Sequence, residues 1–141
     1  RILSDAFNRW NLVPGCFFFF SYEEGSITIK SSGLQMRNFV NLQNLSRGVD
    51  CILQHFPDTY ECYNLASSRV NTMVEAAEKV KLVYERKYGK PVQLNITGTE
   101  PTSTNRFEIS LEKLKRIGFT EDEDYTIETE IEQIFNYLKL K

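Results

Sequence analysis

Residues 33–56 read GLQMRNFVNLQNLSRGVDCILQHF, and the period of the chain changes inside them. After Gly33 comes a short β-prone run carrying Arg37. From Leu45 onward the apolar residues Leu45, Val49, Ile52, Leu53 and Phe56 recur at threes and fours, the spacing of a helix face. Asn41 or Asn44 can cap that helix, and Pro57 lies just beyond its end. A strand therefore gives way to a helix, with Arg37 at the junction. Unpaired amide N–H groups and the positive end of the helix dipole favour an anion there, and a guanidinium can grip a phosphate through two parallel hydrogen bonds. Chemistry alone leaves a second reading open, in which Arg37 pairs with a surface carboxylate.

Outward from this stretch, short strands and helices alternate. Ile2 to Ala6 reads as a short buried strand. Phe17 to Phe20 suit a helix opened by Pro14 and closed by Gly25, although Glu23 and Glu24 sit at the end where the dipole disfavours them; a buried strand is the alternative. Ile27 and Ile29 alternate with Thr28 and Lys30, as in a strand with one polar face. Tyr60 to Leu65 reads as another strand. Thr72 and Glu75 have the T-x-x-E spacing of a capping box, opening a helix that buries Val74, Ala77, Val80, Val83 and Tyr84 and closes at Gly89. Val92, Leu94 and Ile96 alternate with polar residues. A long polar loop, TGTEPTSTN, follows at 97–105, and residues 120–124 form an acidic, solvated linker. Thr126 caps a last helix with Ile127, Ile131, Ile134, Phe135 and Leu138 on its buried stripe.

At 141 residues, 41% hydrophobic and 26% charged, the chain reads as a single α+β domain spanning residues 1–141. Seventeen basic residues against nineteen acidic ones give a formal charge of −2, and no basic cluster interleaved with aromatics suggests a nucleic-acid groove. No apolar run is long enough to span a membrane, and no signal-peptide pattern is present, so a cytoplasmic location is expected. The three cysteines, Cys16, Cys51 and Cys62, lack metal-ligand spacing and read as buried free thiols. His55 is the only histidine, so a zinc site is not expected. It falls near a helix C-terminus, where a dipole interaction suits it. The opening at Arg1 suggests a piece of something longer.

GLQMRNFVNLQNLSRGV resembles the G-x-Q-x-R-D-F-[VI]-[HY]-V-x-D-[LV]-[AS]-x-[AG] segment of the extended short-chain dehydrogenase/reductases, the NAD-dependent nucleotide-sugar epimerases and dehydratases. Gly33, Gln35, Arg37, Phe39, Val40, Leu45, Ser46 and Gly48 fit; Asn38 and Asn44 stand where that family has Asp, and Asn41 where it has His or Tyr. Shorter stretches on either side of it, ILSDAFN, NLVP, YNLASS and SLEKLKRIGF, resemble other segments of the same family in the same order. The resemblance implies the C-terminal, substrate-binding portion of an extended fold whose Rossmann half binds NAD(P) and lies outside this chain. It implies that Arg37 and Asn11 touch the phosphates of a nucleotide-sugar, that Thr28 and Lys30 approach its base, and that Arg106 lies near the loop where the family carries a further Arg. Asn64 is implied to build a loop, bonding backbone rather than ligand. The parent is expected to be a homodimer.

No glycine-rich turn follows a strand, so no dinucleotide cradle is expected in this chain. Tyr137 and Lys141 have the Y-x-x-x-K spacing of the family's proton-transfer pair, but at the end of a terminal helix rather than within the dinucleotide domain. No catalytic or metal-binding residue is therefore assigned, and the expected role is to hold and orient a substrate for redox chemistry done elsewhere. The alternative is a non-catalytic interaction module on the same scaffold, which the substituted asparagines and the missing loop Arg also suit.

Overall fold

The structure is a computed structural model and describes residue 13, residues 15–99 and residues 107–138. Among these, five helices and two small sheets follow in the order α1 (Gly15–Glu23), β1 (Ser26–Ile29), β2 (Met36–Asn38), α2 (Leu42–Gln54), β3 (Val70–Thr72), α3 (Met73–Tyr88), β4 (Gln93–Ile96), α4 (Glu112–Arg116) and α5 (Ile127–Leu138). The class is α+β, as the alternating periods predict.

Helix α3 is the centre. Its start is locked by the expected capping box, with the Glu75 amide donating to Thr72 Oγ1 and the Thr72 amide donating to Glu75 Oε2. Its end is closed by Gly89 in the left-handed region, φ 64°. The inward stripe Ala76, Ala77, Val80, Val83 and Tyr84 packs with Phe17 and Phe18 of α1, Ile27 and Ile29 of β1, and Ile131 and Phe135 of α5. Phe135 meets Phe18 edge to face at 4.5 Å between ring centroids, and meets Tyr88 similarly at 5.5 Å. The phenylalanine run is thus helical. The one buried hydroxyl on α1, Ser21, is satisfied by donating to Phe17 O at 2.7 Å.

Strands β1 and β4 pair in parallel, Ser26 with Gln93 through Ile29 with Ile96. Ile27 and Ile29 point into the core while Thr28 faces out, which is the predicted alternation. The exit of β4 lies hard against the exit of β1: a Cβ on Gly98 would stand 2.4 Å from Ser31 Cα and 2.5 Å from Lys30 O. Only a residue without a side chain allows that approach. The second sheet, β2 with β3, is antiparallel, with Met36 opposite Thr72, Arg37 opposite Asn71 and Asn38 opposite Val70.

Helix α2 departs from expectation. Its N-cap is Asn41, whose Oδ1 accepts from the Asn44 amide. The predicted apolar stripe is there, but only one edge of it is turned to solvent, while Leu45 and Ile52 are half-buried. Leu42, Leu53 and Phe56 are 62–76% exposed, and Val49 is exposed with them. The opposite face, Asn44, Gly48 and Cys51, is the one that packs. A Cβ on Gly48 would lie 2.2 Å from Leu65 Cδ2, and Leu114 and Phe119 stand just beyond. The cysteine expectation also changes, since Cys62 is exposed and Cys16 and Cys51 are half-buried, all three free.

Residues 60–65 form no strand. They run without ladder hydrogen bonds, and Tyr60 is 91% exposed. A strand needs a strand to pair with, and among the described residues none pairs with this segment. The acidic segment 120–124 is no solvated linker either. It is clamped from both sides by the groups described below.

Candidate functional site

Arg37 lies at the middle of β2, exposed, four residues ahead of Asn41, the N-cap of α2. Its Nη1 donates to the carbonyl of its own neighbour, Met36, at 3.0 Å. Among the described residues it forms no ion pair; the six ion pairs found there use Arg47, Arg69, Lys79, Lys81, Arg86 and Lys113 instead. Of the two roles open to Arg37 in the sequence, a pairing with a surface carboxylate is therefore not seen among these residues.

The surroundings of Arg37 are built by asparagine amides. Asn38 Nδ2 donates to Ser67 O at 2.6 Å while Asn38 Oδ1 accepts from the Ser67 amide at 2.9 Å. Asn44, only 1% exposed, does the same to Asp122, donating to its carbonyl at 3.1 Å and accepting from its amide at 2.8 Å. Asn41 Nδ2 reaches Tyr125 O at 2.9 Å. Each of the first two side chains must donate and accept at once. An amide does this and an ionised carboxylate cannot, which gives a physical reason for Asn rather than Asp at 38 and 44. Asn64 likewise donates to Ser110 O at 3.0 Å, bonding backbone as the sequence suggests.

These clamps hold residues 66–69 and 120–125 around the β2–β3 ribbon. Glu121 is part of the frame: Oε1 accepts from Ser67 Oγ at 2.8 Å and Oε2 from the Ser68 amide at 3.0 Å. Burial alone would raise its pKa, but the hydrogen bonds from Ser68 and Ser67, with Arg69 nearby, outweigh burial and hold the carboxyl below its ordinary value. Between the ribbon, the start of α2 and the start of α5 lies a cavity of about 210 Å³, lined by Phe39, Arg69, Asn71, Tyr125 and Ile127 among others. On its far side Lys79 pairs with Glu128 at 3.4 Å. A larger, shallower groove of about 540 Å³ runs between α2 and the exit of α4. Among its polar groups, Arg47 pairs with Asp122 at 2.9 Å and the Cys51 thiol donates to Ile117 O at 3.1 Å.

The structure does not gather all the predicted residues. Thr28, on β1, and Lys30, just past it, are both exposed and belong to a different sheet from Arg37, and none of the three lines a described cavity. Asn11 and Arg106 lie outside the described residues. His55 is the C-cap residue of α2, its ring nitrogen 3.0 Å from Cys51 O, a structural role. No group of three or more potential metal ligands occurs among the described residues, and none of their helices is long and apolar enough to cross a membrane. Sequence reasoning missed Arg69 and Asn71. Asn71 lies in β3 and Arg69 just ahead of it, in the run that ends at the capping box, and both line the smaller cavity. Comparison with known proteins returns no matching family model and no matching curated relative.

Proposed function

We propose that this chain is the substrate-binding part of an NAD-dependent nucleotide-sugar epimerase or dehydratase, and that it works with a separate dinucleotide-binding sheet domain. The observation that carries this is the outward apolar face of α2 next to the strand-less segment 60–65. A helix that turns Leu42, Val49 and Leu53 to solvent, with Phe56 exposed just past its end and β-prone residues without a ladder after it, has the form of an α/β layer lacking its sheet. Such a sheet would satisfy the backbone of 60–65 and cover Leu42, Leu53 and Phe56 together. NAD(P) would be held by that domain and supply the hydride chemistry; none of it is assigned to residues of this chain.

On this proposal Arg37 receives the diphosphate of the sugar nucleotide. It carries a permanent charge, is exposed, and among the described residues has no carboxylate to compete for it. The chain supplies binding and orientation and no catalytic group. The direct test is an NMR titration with UDP- and TDP-sugars. Amide shifts centred on Arg37 and reduced in Arg37→Ala are expected; an unchanged spectrum at millimolar ligand overturns the ligand assignment. For the domain assignment, a glycine-rich strand–helix turn and a Y-x-x-x-K encoded ahead of Arg1 are expected, and their absence from the gene overturns it.

A further inference from the structure

We propose that the cavity between the β2–β3 ribbon and the starts of α2 and α5 binds a compact organic cation, a primary ammonium carried on an aromatic body, with Glu130 as its counter-charge. This goes beyond the function proposed above, because Arg37 does not line the cavity and nothing in it calls for a nucleotide. The sign of the ligand follows from the charges. Arg69, Lys79 and Glu130 are the charged side chains on the lining. Both cations are already matched: Lys79 pairs with Glu128 at 3.4 Å, and Arg69 is 3.7 Å from Glu123 with Glu121 also beside it. Glu130 forms no ion pair among the described residues. Arg69 and Lys79 thus stand among Glu121, Glu123, Glu128 and Glu130, and the surroundings of the cavity carry a net negative charge.

The rest of the lining suits the body of such a ligand. Phe39, Tyr125, Ile127 and Ile134 give it an apolar wall that includes two aromatic rings, and an aromatic ring attracts a cation placed within about 6 Å of its centre. Glu130 lies in the first turn of α5, where the helix dipole favours an ionised carboxylate. Asn71 adds an amide oxygen on the lining, an acceptor for an ammonium N–H that Glu130 leaves over. Size agrees with chemistry. A dry cavity of about 150 Å³ takes benzene, so one of about 210 Å³ takes a ring with a short aminoalkyl arm. A metal ion is a poor occupant, since no group of three or more potential metal ligands occurs among the described residues. An anion would have to displace Glu121 or Glu123 from Arg69 and then lie beside Glu130.

The test is a titration at neutral pH, followed by amide chemical shifts, with three probes of nearly one shape: phenethylamine, the uncharged phenylethanol and the anionic phenylpropionate. The amine is expected to shift Asn71, Tyr125, Ile127 and Glu130 and to bind about tenfold more tightly than the alcohol, with the propionate weakest. Glu130→Gln keeps the shape and removes the charge. It should raise the Kd of the amine about tenfold and leave that of the alcohol unchanged, a difference that a damaged fold would not produce. Raising the salt from about 50 to about 500 mM should weaken the amine and spare the alcohol. Arg37→Ala should leave the Kd of the amine as it is, which separates this site from the one proposed for the diphosphate. Equal binding of amine and alcohol, an unchanged amine Kd in Glu130→Gln, tighter binding of the propionate, or no shift at millimolar amine overturns the inference. Should Glu130→Gln disturb amide signals across the chain, the amine-to-alcohol ratio of the unaltered chain and its salt dependence decide.

Discussion

Asn44→Asp replaces one atom group by another of the same shape and asks whether the clamp on Asp122 needs an amide. In the unaltered chain the side chain is almost completely buried, donates to Asp122 O and accepts from Asp122 N. The carboxylate keeps the acceptor and turns the donor into a second acceptor facing a carbonyl oxygen. A buried carbonyl left without its donor costs about 1–3 kcal/mol. Position 44 lies in the first turn of α2, so the new charge gains roughly 0.3–1 kcal/mol from the helix dipole in return. The net expectation is a loss of about 1–2 kcal/mol, or roughly 2–8 °C in Tm for a chain of this size. The effect also depends on pH. Burial beside a carbonyl oxygen raises the pKa of the introduced carboxyl in the folded state above its unfolded value of about 3.9. The protonated form can donate to Asp122 O, so the deficit is full at neutral pH and shrinks as the pH falls through the raised folded value toward the unfolded one. Urea unfolding of variant and unaltered chain, compared at about pH 7 and again near pH 4, measures both parts. Equal stability at neutral pH, or a deficit that stays constant between the two conditions, refutes the amide argument.

Three further outcomes follow from the same structure. Gly98→Ala places a Cβ against the backbone of Lys30 and Ser31, which cannot rotate away, and should destabilise by about 2 kcal/mol in chemical denaturation; a neutral result would mean the β1 and β4 exits are not in contact. Leu53→Asp, on the outward face of α2, should change the stability of this chain by no more than about 0.5 kcal/mol while reducing self-association in sedimentation velocity; a loss of several kcal/mol would place that face inside the fold. The Glu121 carboxyl is lowered in the folded state, so it contributes stability above its unfolded pKa that is lost as the pH falls through the folded value. Glu121→Gln should therefore flatten the acid side of the stability–pH curve, and an unaltered acid limb would dismiss the Ser67–Ser68 cradle.

What the sequence made legible was set by short-range chemistry. Thr72, Glu75 and Gly89 bound α3 because the cap bonds join residues three apart and the closing turn needs a left-handed φ. Thr126 caps α5 through the Thr129 amide for the same reason. Ile27 and Ile29 alternate inward because a strand's period is fixed by its backbone. The rest depended on what lies beside a segment. The stripe on α2 has the same period whether it faces inward or outward, and only Gly48 seated against Leu65 decides the matter. Residues 60–65 have strand composition without a neighbour to pair with. For the candidate site, Arg37 and its place before a helix were visible. The Asn38 and Asn44 clamps were not, since each bridges segments that are distant along the chain.

The parallel pairing of β1 with β4 also bears on how the chain reaches this arrangement. Thr97 bonds back to Ile29 across 68 residues, and closing so large a loop has to be offset by contacts already made. Helix α3, with its local start and stop, can form early and present Val80 and Val83 as the surface onto which α1 and β1 collapse. The ladder would then zip last, so that weakening it should speed unfolding and leave the refolding rate nearly untouched.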